Sequence, residues 1–254
     1  MKLWLAALAL SLPLAALADE RQPVLDLSLS PEVGVRKFTW RDRVTPSLAS
    51  YSSGTMVLGR AALEVFPFAN AGLPVMSHVG LLGSVTRSLR THTPDVSGAE
   101  YTALWHGYSL GAEWRAIFGD RFYGALSLRY ESLRFDLSGP SGPGVLLPGG
   151  LKQAWRPGVL LRLPLGPIAI AADGGYLAVV VHDAVSRAFP RSTVAGVEGG
   201  LHLEWALTRL LALQLSGTYT RFFYSLHPLA GDDYVAGGAL DEFAVVDLAL
   251  HARF

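Results

Sequence analysis

Glu198, His202 and Glu204 stand at positions of equal parity in the stretch Gly196 to Leu207 (GVEGGLHLEWAL), so an extended backbone projects all three from one face. Imidazole and carboxylate are ligand types that a zinc-like ion accepts. The more frequent use of such a set is a histidine paired to a carboxylate, and on that ground no metal site is assigned. Two other places hold chemistry-bearing types side by side, His182-Asp183 and Asp232-Asp233. No serine lies in a nucleophile context, cysteine is absent, and no glycine-rich cofactor motif occurs, so no cofactor is expected and an enzyme is the less favoured reading.

The elements that must position these residues follow from composition and alternation. Residues 1–18 (MKLWLAALALSLPLAALA) carry Lys2, an apolar run and an Ala-Leu-Ala ending, which reads as a secretory signal peptide cleaved after Ala18. Residues 19–254 then form one domain. Without the leader, 20 basic side chains face 21 acidic ones, a net of −1 that offers no footprint for nucleic acid. Hydrophobic residues make up 50% of the chain, yet no uncharged run after residue 18 is long enough for a membrane helix. A closed barrel is the other structure that satisfies every backbone amide inside a bilayer.

Strict alternation supports it. Counting back from Phe254, one parity holds Phe254, Ala252, Leu250, Leu248 and Val246, while the other holds Arg253, His251, Ala249, Asp247 and Val245. Residues 197–207, 211–220, 108–118 and 121–131 repeat the pattern. Weaker versions near 25–40, 55–67, 76–90, 151–165 and 167–182 bring the count to about ten strands, with eight or twelve left open. The expected fold is all-β, a transmembrane antiparallel up-and-down β-barrel.

Connections alternate in length, as short periplasmic turns and longer outer loops do in such barrels. Phe118-Gly119-Asp120, Leu165-Gly166-Pro167 and Leu207-Thr208-Arg209 are tight, whereas 41–54, 91–100, 137–150, 183–193 and 227–240 are long. Aromatics near both sets, including Trp40, Trp105, Trp155 and Phe223 on the loop side, suggest two interfacial girdles. The loop 138–150 has an apolar centre, Val145-Leu146-Leu147, suited to folding into the mouth or to touching the membrane surface.

On these residues, and on a last strand Phe243 to Phe254 whose Leu248, Leu250 and Phe254 form an oily row, the chain resembles the bacterial outer-membrane β-barrel superfamily. The resemblance spans the whole exported part. It implies recognition of the terminal strand by the barrel assembly machinery, residence in the outer membrane, and contact with outer-membrane lipids and lipopolysaccharide. Omptin proteases within the superfamily also have ten strands and carry acidic pairs and an Asp/His pair at the outer rim. This chain has no Asp-x-Asp and no Asp-x-His.

The polar parity assigns a lumen network: Glu113, Arg115, Arg129, Glu131, Arg162, Asp173, Glu198, His202, Glu204, Asp247, His251 and Arg253, joined by Glu32, Arg36, Arg60, Glu64, His78 and Arg156. About ten strands leave little bore, so these charges must pair. Either they plug a scaffold or they line a narrow pore. A hydrolase at the outer rim and a soluble periplasmic β-protein are the alternatives. Oligomeric state has no signal in the sequence.

Overall fold

The computed structural model describes residues 23–73, 75–94, 100–118, 122–139 and 149–254. The leader 1–18, the Gly119-Asp120 turn and the Val145-Leu146-Leu147 segment lie outside them. Ten strands form one antiparallel sheet. They are β1 (Leu25–Arg41), β2 in two pieces (Tyr51–Ser52 and Met56–Val65), β3 in two pieces (Val79–Ser88 and Thr91–Pro94), β4 (Glu100–Phe118), β5 (Phe122–Ser138), β6 (Gly150–Leu165), β7 (Ile168–His182), β8 (Thr193–Ala206), β9 (Leu211–Ser225) and β10 (Gly238–Arg253). Each pairs with its neighbours in sequence, and β10 pairs with β1 from Asp26↔Arg253 to Arg41↔Gly238, which closes the barrel. One short helix, α1 (Asp183–Ala188), follows β7.

The unbroken strands run 14–19 residues. A tilted strand needs only about 9–11 to cross the hydrocarbon, so the wall continues past the bilayer on the side of the long loops. The stretches read from sequence at 25–40, 151–165 and 167–182 span β1, β6 and β7 almost whole, whereas those at 108–118, 121–131 and 211–220 are the lower parts of longer strands. Polar residues beyond the membrane blur the period there without ending the ladder.

Side-chain parity is nearly regular, with one register shift where β6 meets β7 between Gln153 and Ala154. Outward positions in the lower wall are apolar and exposed: Leu27 and Leu29 on β1, Leu110 on β4, Leu126 and Leu128 on β5, Leu201 and Leu203 on β8, Leu248 and Leu250 on β10. Charged residues at outward positions begin only higher up, with Lys37, Arg87, Arg134, Arg221 and Glu242. Below that boundary, among the described residues, every charged strand side chain points inward. A soluble protein would not leave so continuous an apolar surface open to water, which removes the soluble periplasmic reading. No helix of the described residues is long and apolar enough to cross a membrane.

The expected girdles are corrected in part. Trp114, Trp155, Trp205, Phe223 and Phe254 face outward and are exposed, but Trp40 and Trp105 are buried inside the barrel. Trp40 shares the inward parity of Arg36 and Phe38, and Trp105 that of Ser109 and Glu113. Their place near the loops reflects the height of the wall above the membrane and not the interface.

Leu201 sits at mid-height of the apolar band, between Trp205 and Val197 on the outer face of β8. Leu201→Arg is expected to destabilise the barrel by about 2–4 kcal/mol. Urea titration of vesicle-inserted protein measures it, and an unchanged midpoint would contradict the lipid-facing assignment.

Candidate functional site

The lumen is where the chemistry-bearing residues converge, in three layers. At the short-turn end, Asp26 joins β1 to β10 by accepting from Arg253 Nε (2.9 Å) and contacting His251 Nδ1 (2.9 Å). Arg253 then reaches across to Glu204 on β8 with two parallel bonds of 2.8 Å. Arg162 adds a third bond to Glu204 at 2.9 Å. On the facing wall, Arg115 donates to Glu64 and, at 2.6 Å, to Glu113. The Tyr123 ring lies 5.4 Å from both the Arg115 and Arg162 guanidiniums and links the two halves.

The middle layer is organised by Arg156. It pairs with Asp173, with Glu198 at 3.0 Å and more loosely with Glu131 at 3.8 Å. Asp173 also contacts His202 Nε2 (2.7 Å), whose Nδ1 meets Ser216 Oγ at 3.1 Å. Thr220 donates to Glu198 at 2.8 Å. Room for this arrangement comes from inward glycines. A Cβ on Gly175 would sit 2.8 Å from Arg156 Nε, and one on Gly200 2.4 Å from Asp173 Oδ1. Glu32 and Asp247 occupy paired positions on β1 and β10, with Arg60 4.0 Å from Glu32.

Glu198, His202 and Glu204 thus share a face but not a centre, since each is drawn to a different cation or acid. Among the described residues no group of three or more His, Cys, Asp or Glu side chains is placed to hold a metal. Arg129 lies in the lumen as expected, between Gly111 of β4 and Arg156 of β6 in register. It forms no ion pair within 4 Å among the described residues, and its Nε is buried without a hydrogen-bond partner.

The upper layer was not assigned from sequence, apart from Arg36. Arg36 donates to both Asp241 oxygens at 2.7 and 2.8 Å, and Lys152 Nζ lies 2.6 Å from the same carboxylate. Their side chains are 1%, 0% and 6% exposed; below, Asp173, Glu198, His202 and Arg253 are 18–24% exposed, although Arg156 (2%), Glu32 and Glu113 (5%) are as buried as the triad. Two cations share one acid here. Both cations also face aromatic rings: Arg36 is 4.4 Å from Phe135 and 5.3 Å from Phe243, and Lys152 is 5.2 Å from Phe222. Such contacts are worth about 2 kcal/mol when desolvated. Extending the odd parity of β10 back to Asp241, and the even parity of β6 down to Lys152, is the signal that would have found both.

Above the triad the lumen is apolar. Trp105 and Phe243, in edge contact, flank the triad, while Phe38 packs edge to face on Trp40, and the loops add Leu48, Leu226 and Ala236, with Val185 and Phe189 from α1 and the residue after it. Trp40 Nε1 donates to Ala49 O at 3.0 Å, which binds the first long loop over the mouth. At the rim, His182 Nε2 meets Ser192 Oγ at 3.0 Å. The Asp183 side chain is outside the described residues, and among those described no carboxylate contacts the other His182 ring nitrogen. Asp232 accepts from Arg191 and from Leu229 N. These bonds hold its carboxyl below the usual carboxylate range, so the loop contact persists at neutral pH and is lost as pH falls through that lowered value.

Neither protein-family models nor curated proteins match the sequence. Among solved structures the chain is similar to the outer membrane protease OmpT from Escherichia coli, at 10% identity over 95% of this chain and 100% of that one, with a TM-score of 0.52. Further matches are the transport unit of the autotransporter AIDA-I from Escherichia coli (10% identity, 93% and 92% covered, TM-score 0.44) and Neisserial surface protein A (9%, 90% and 97%, 0.36). The closed ten-stranded wall, apolar outside and charged within, has the fold of the bacterial outer-membrane β-barrels.

Removing the acid of the dry triad takes the carboxylate from the buried Arg36 guanidinium, so Asp241→Ala is expected to cost about 3–5 kcal/mol. Asp173→Ala, in the partly hydrated middle layer, costs less. Equilibrium unfolding of the two variants in the same detergent checks the order, and equal losses would mean that the upper layer is wet.

Proposed function

We propose that the chain is a sealed, non-enzymatic scaffold of the bacterial outer membrane. One observation carries this reading: the Arg36–Asp241–Lys152 triad is dry and lies beneath a packed aromatic layer, so a hydrated ion has no wet path through that level. The charge network below it then acts as filler that ties opposite walls together. Export by the leader at residues 1–18 and recognition of the terminal strand at Leu248, Leu250 and Phe254 by the barrel assembly machinery belong to the same reading. Its orientation places the long loops outside the cell.

Planar-bilayer recording tests it. Wild type and Arg129→Ala should both be silent while the protein is demonstrably folded and inserted. Discrete conductance steps in wild type that change in Arg129→Ala would establish the narrow pore instead.

A rim hydrolase has one observation in its favour, the His182–Ser192 contact, since a serine and a base within hydrogen-bond reach begin a nucleophilic site. Hydrolysis of lipid or peptide substrates that disappears in Ser192→Ala would replace the scaffold reading. No hydrolysis above the Ser192→Ala background is the expected result.

A further inference from the structure

The outer wall is not smooth. A hollow of about 860 Å³ lies across β1–β4, between Leu29 and Val85, and Arg87 and His106 line it too. That size is in the range of about 300–1,000 Å³ over which pockets accept small ligands. Its origin is register. Pro31, Gly59, Arg87 and His106 occupy one row of paired positions, and Leu29, Ala61, Val85 and Tyr108 occupy the row below. Gly59 and Ala61 leave β2 low between taller neighbours. A Cβ built on Gly59 meets nothing within 4 Å.

This floor belongs to the apolar, lipid-facing wall, while the hollow's upper end reaches the boundary where outward charge begins. Arg87 and His106 stand there side by side, and His106 pairs in register with Arg134, whose Nε is held by Asp136 at 2.9 Å. Neither Arg87 nor His106 has a hydrogen bond or an ion pair among the described residues. Tyr108, Tyr130 and Trp155 lie just below, with the last two in edge contact at 5.3 Å, as aromatics at a headgroup boundary would. An unpartnered guanidinium beside an imidazole, above an apolar trough that opens sideways into lipid, matches a ligand with a phosphate at one end and a hydrocarbon chain at the other. Arg is suited to the phosphate because its planar fork can donate two parallel bonds.

We propose that this hollow is a binding site for a phosphorylated, acylated glycolipid of the outer leaflet, one acyl chain lying over Gly59 and Ala61 and one phosphate on Arg87 and His106. The commitment to the outer-leaflet glycolipid rests on the orientation given above, in which the loop side faces outward. Interfacial charge alone would attract any anionic lipid. The trough adds a shape that selects for a chain held at a fixed distance from its phosphate.

The experiment uses the full-length protein inserted in lipid vesicles, with folding verified by heat-dependent electrophoretic mobility. Barrels are delipidated in mild detergent, incubated with bisphosphorylated lipid A, and scored for retained lipid by native mass spectrometry. Wild type should retain lipid A. Arg87→Ala should lose at least about tenfold in affinity, the size expected for one charge-assisted bond. Gly59→Leu, whose Cβ meets no protein atom within 4 Å and whose side chain fills the trough, should lose as much. Dephosphorylated lipid A should bind wild type as poorly as lipid A binds Arg87→Ala, and Leu201→Ala on the opposite wall should behave as wild type. Folded Arg87→Ala and Gly59→Leu barrels that retain lipid A normally would overturn the site. Equal retention of phosphatidylglycerol would overturn its assignment to the glycolipid. Failure of wild type to insert in vesicles would remove the membrane reading and the site together, whereas an inserted wild type without lipid A removes the site alone.

Discussion

Hydrocarbon offers no partner to a backbone N–H or to an ion, and the rest of the molecule follows from that. The ladder is closed by pairing β10 to β1 along its whole length, so the wall has no open edge at membrane depth. Because successive side chains point to opposite faces, the same condition sends every charge of the lower strands into the lumen. The lumen is narrow, and its charges must find each other there. Arg156 with three acids, and Arg253 spanning from Asp26 to Glu204, are what that confinement produces.

Two regimes of electrostatics coexist inside one wall. Toward the short turns Asp173, Glu198, His202 and Arg253 keep some contact with water, so links that end on them contribute more modestly than those that join Arg156 or Glu113 in the dry part of the network. Around Arg36 and Asp241 water is excluded, and the pair is held by two parallel bonds and by surrounding rings. Replacing Asp241 leaves the Arg36 guanidinium without its carboxylate in an apolar setting, which is costly in a way that losing a hydrated partner is not. A short carboxylate shared by two cations is a poor stepping stone for a permeant ion and a good clamp between strands.

Much of this was legible in the chain. The parity of Phe254, Leu250 and Leu248 against Arg253, His251 and Asp247 places each residue on its observed face, and the alternating loop lengths match the ten strands. Strand ends were legible on β1, β6 and β7 but not at the loop side of β4, β5, β9 and β10. Above the membrane the outer face turns polar, so Lys37, Arg134 and Glu242 break the oily row while the ladder continues. For the same reason Trp40 and Trp105 read as interfacial although they are core. Glu198, His202 and Glu204 could be placed on one face but not assigned partners, since partner choice depends on which cation each neighbouring strand brings to that height.

The Arg36–Asp241 clamp joins residues 205 positions apart, and Lys152 comes from the middle of the chain. Contacts of such sequence separation form late, because chain entropy must be spent before they return anything. The apolar layer above them draws on the first long loop, on α1 and on the last long loop, so it too waits for β10. Closing the wall and stoppering its upper end therefore both await the last strand, and a barrel arrested before β10 docks would be an open sheet with its cations unclamped.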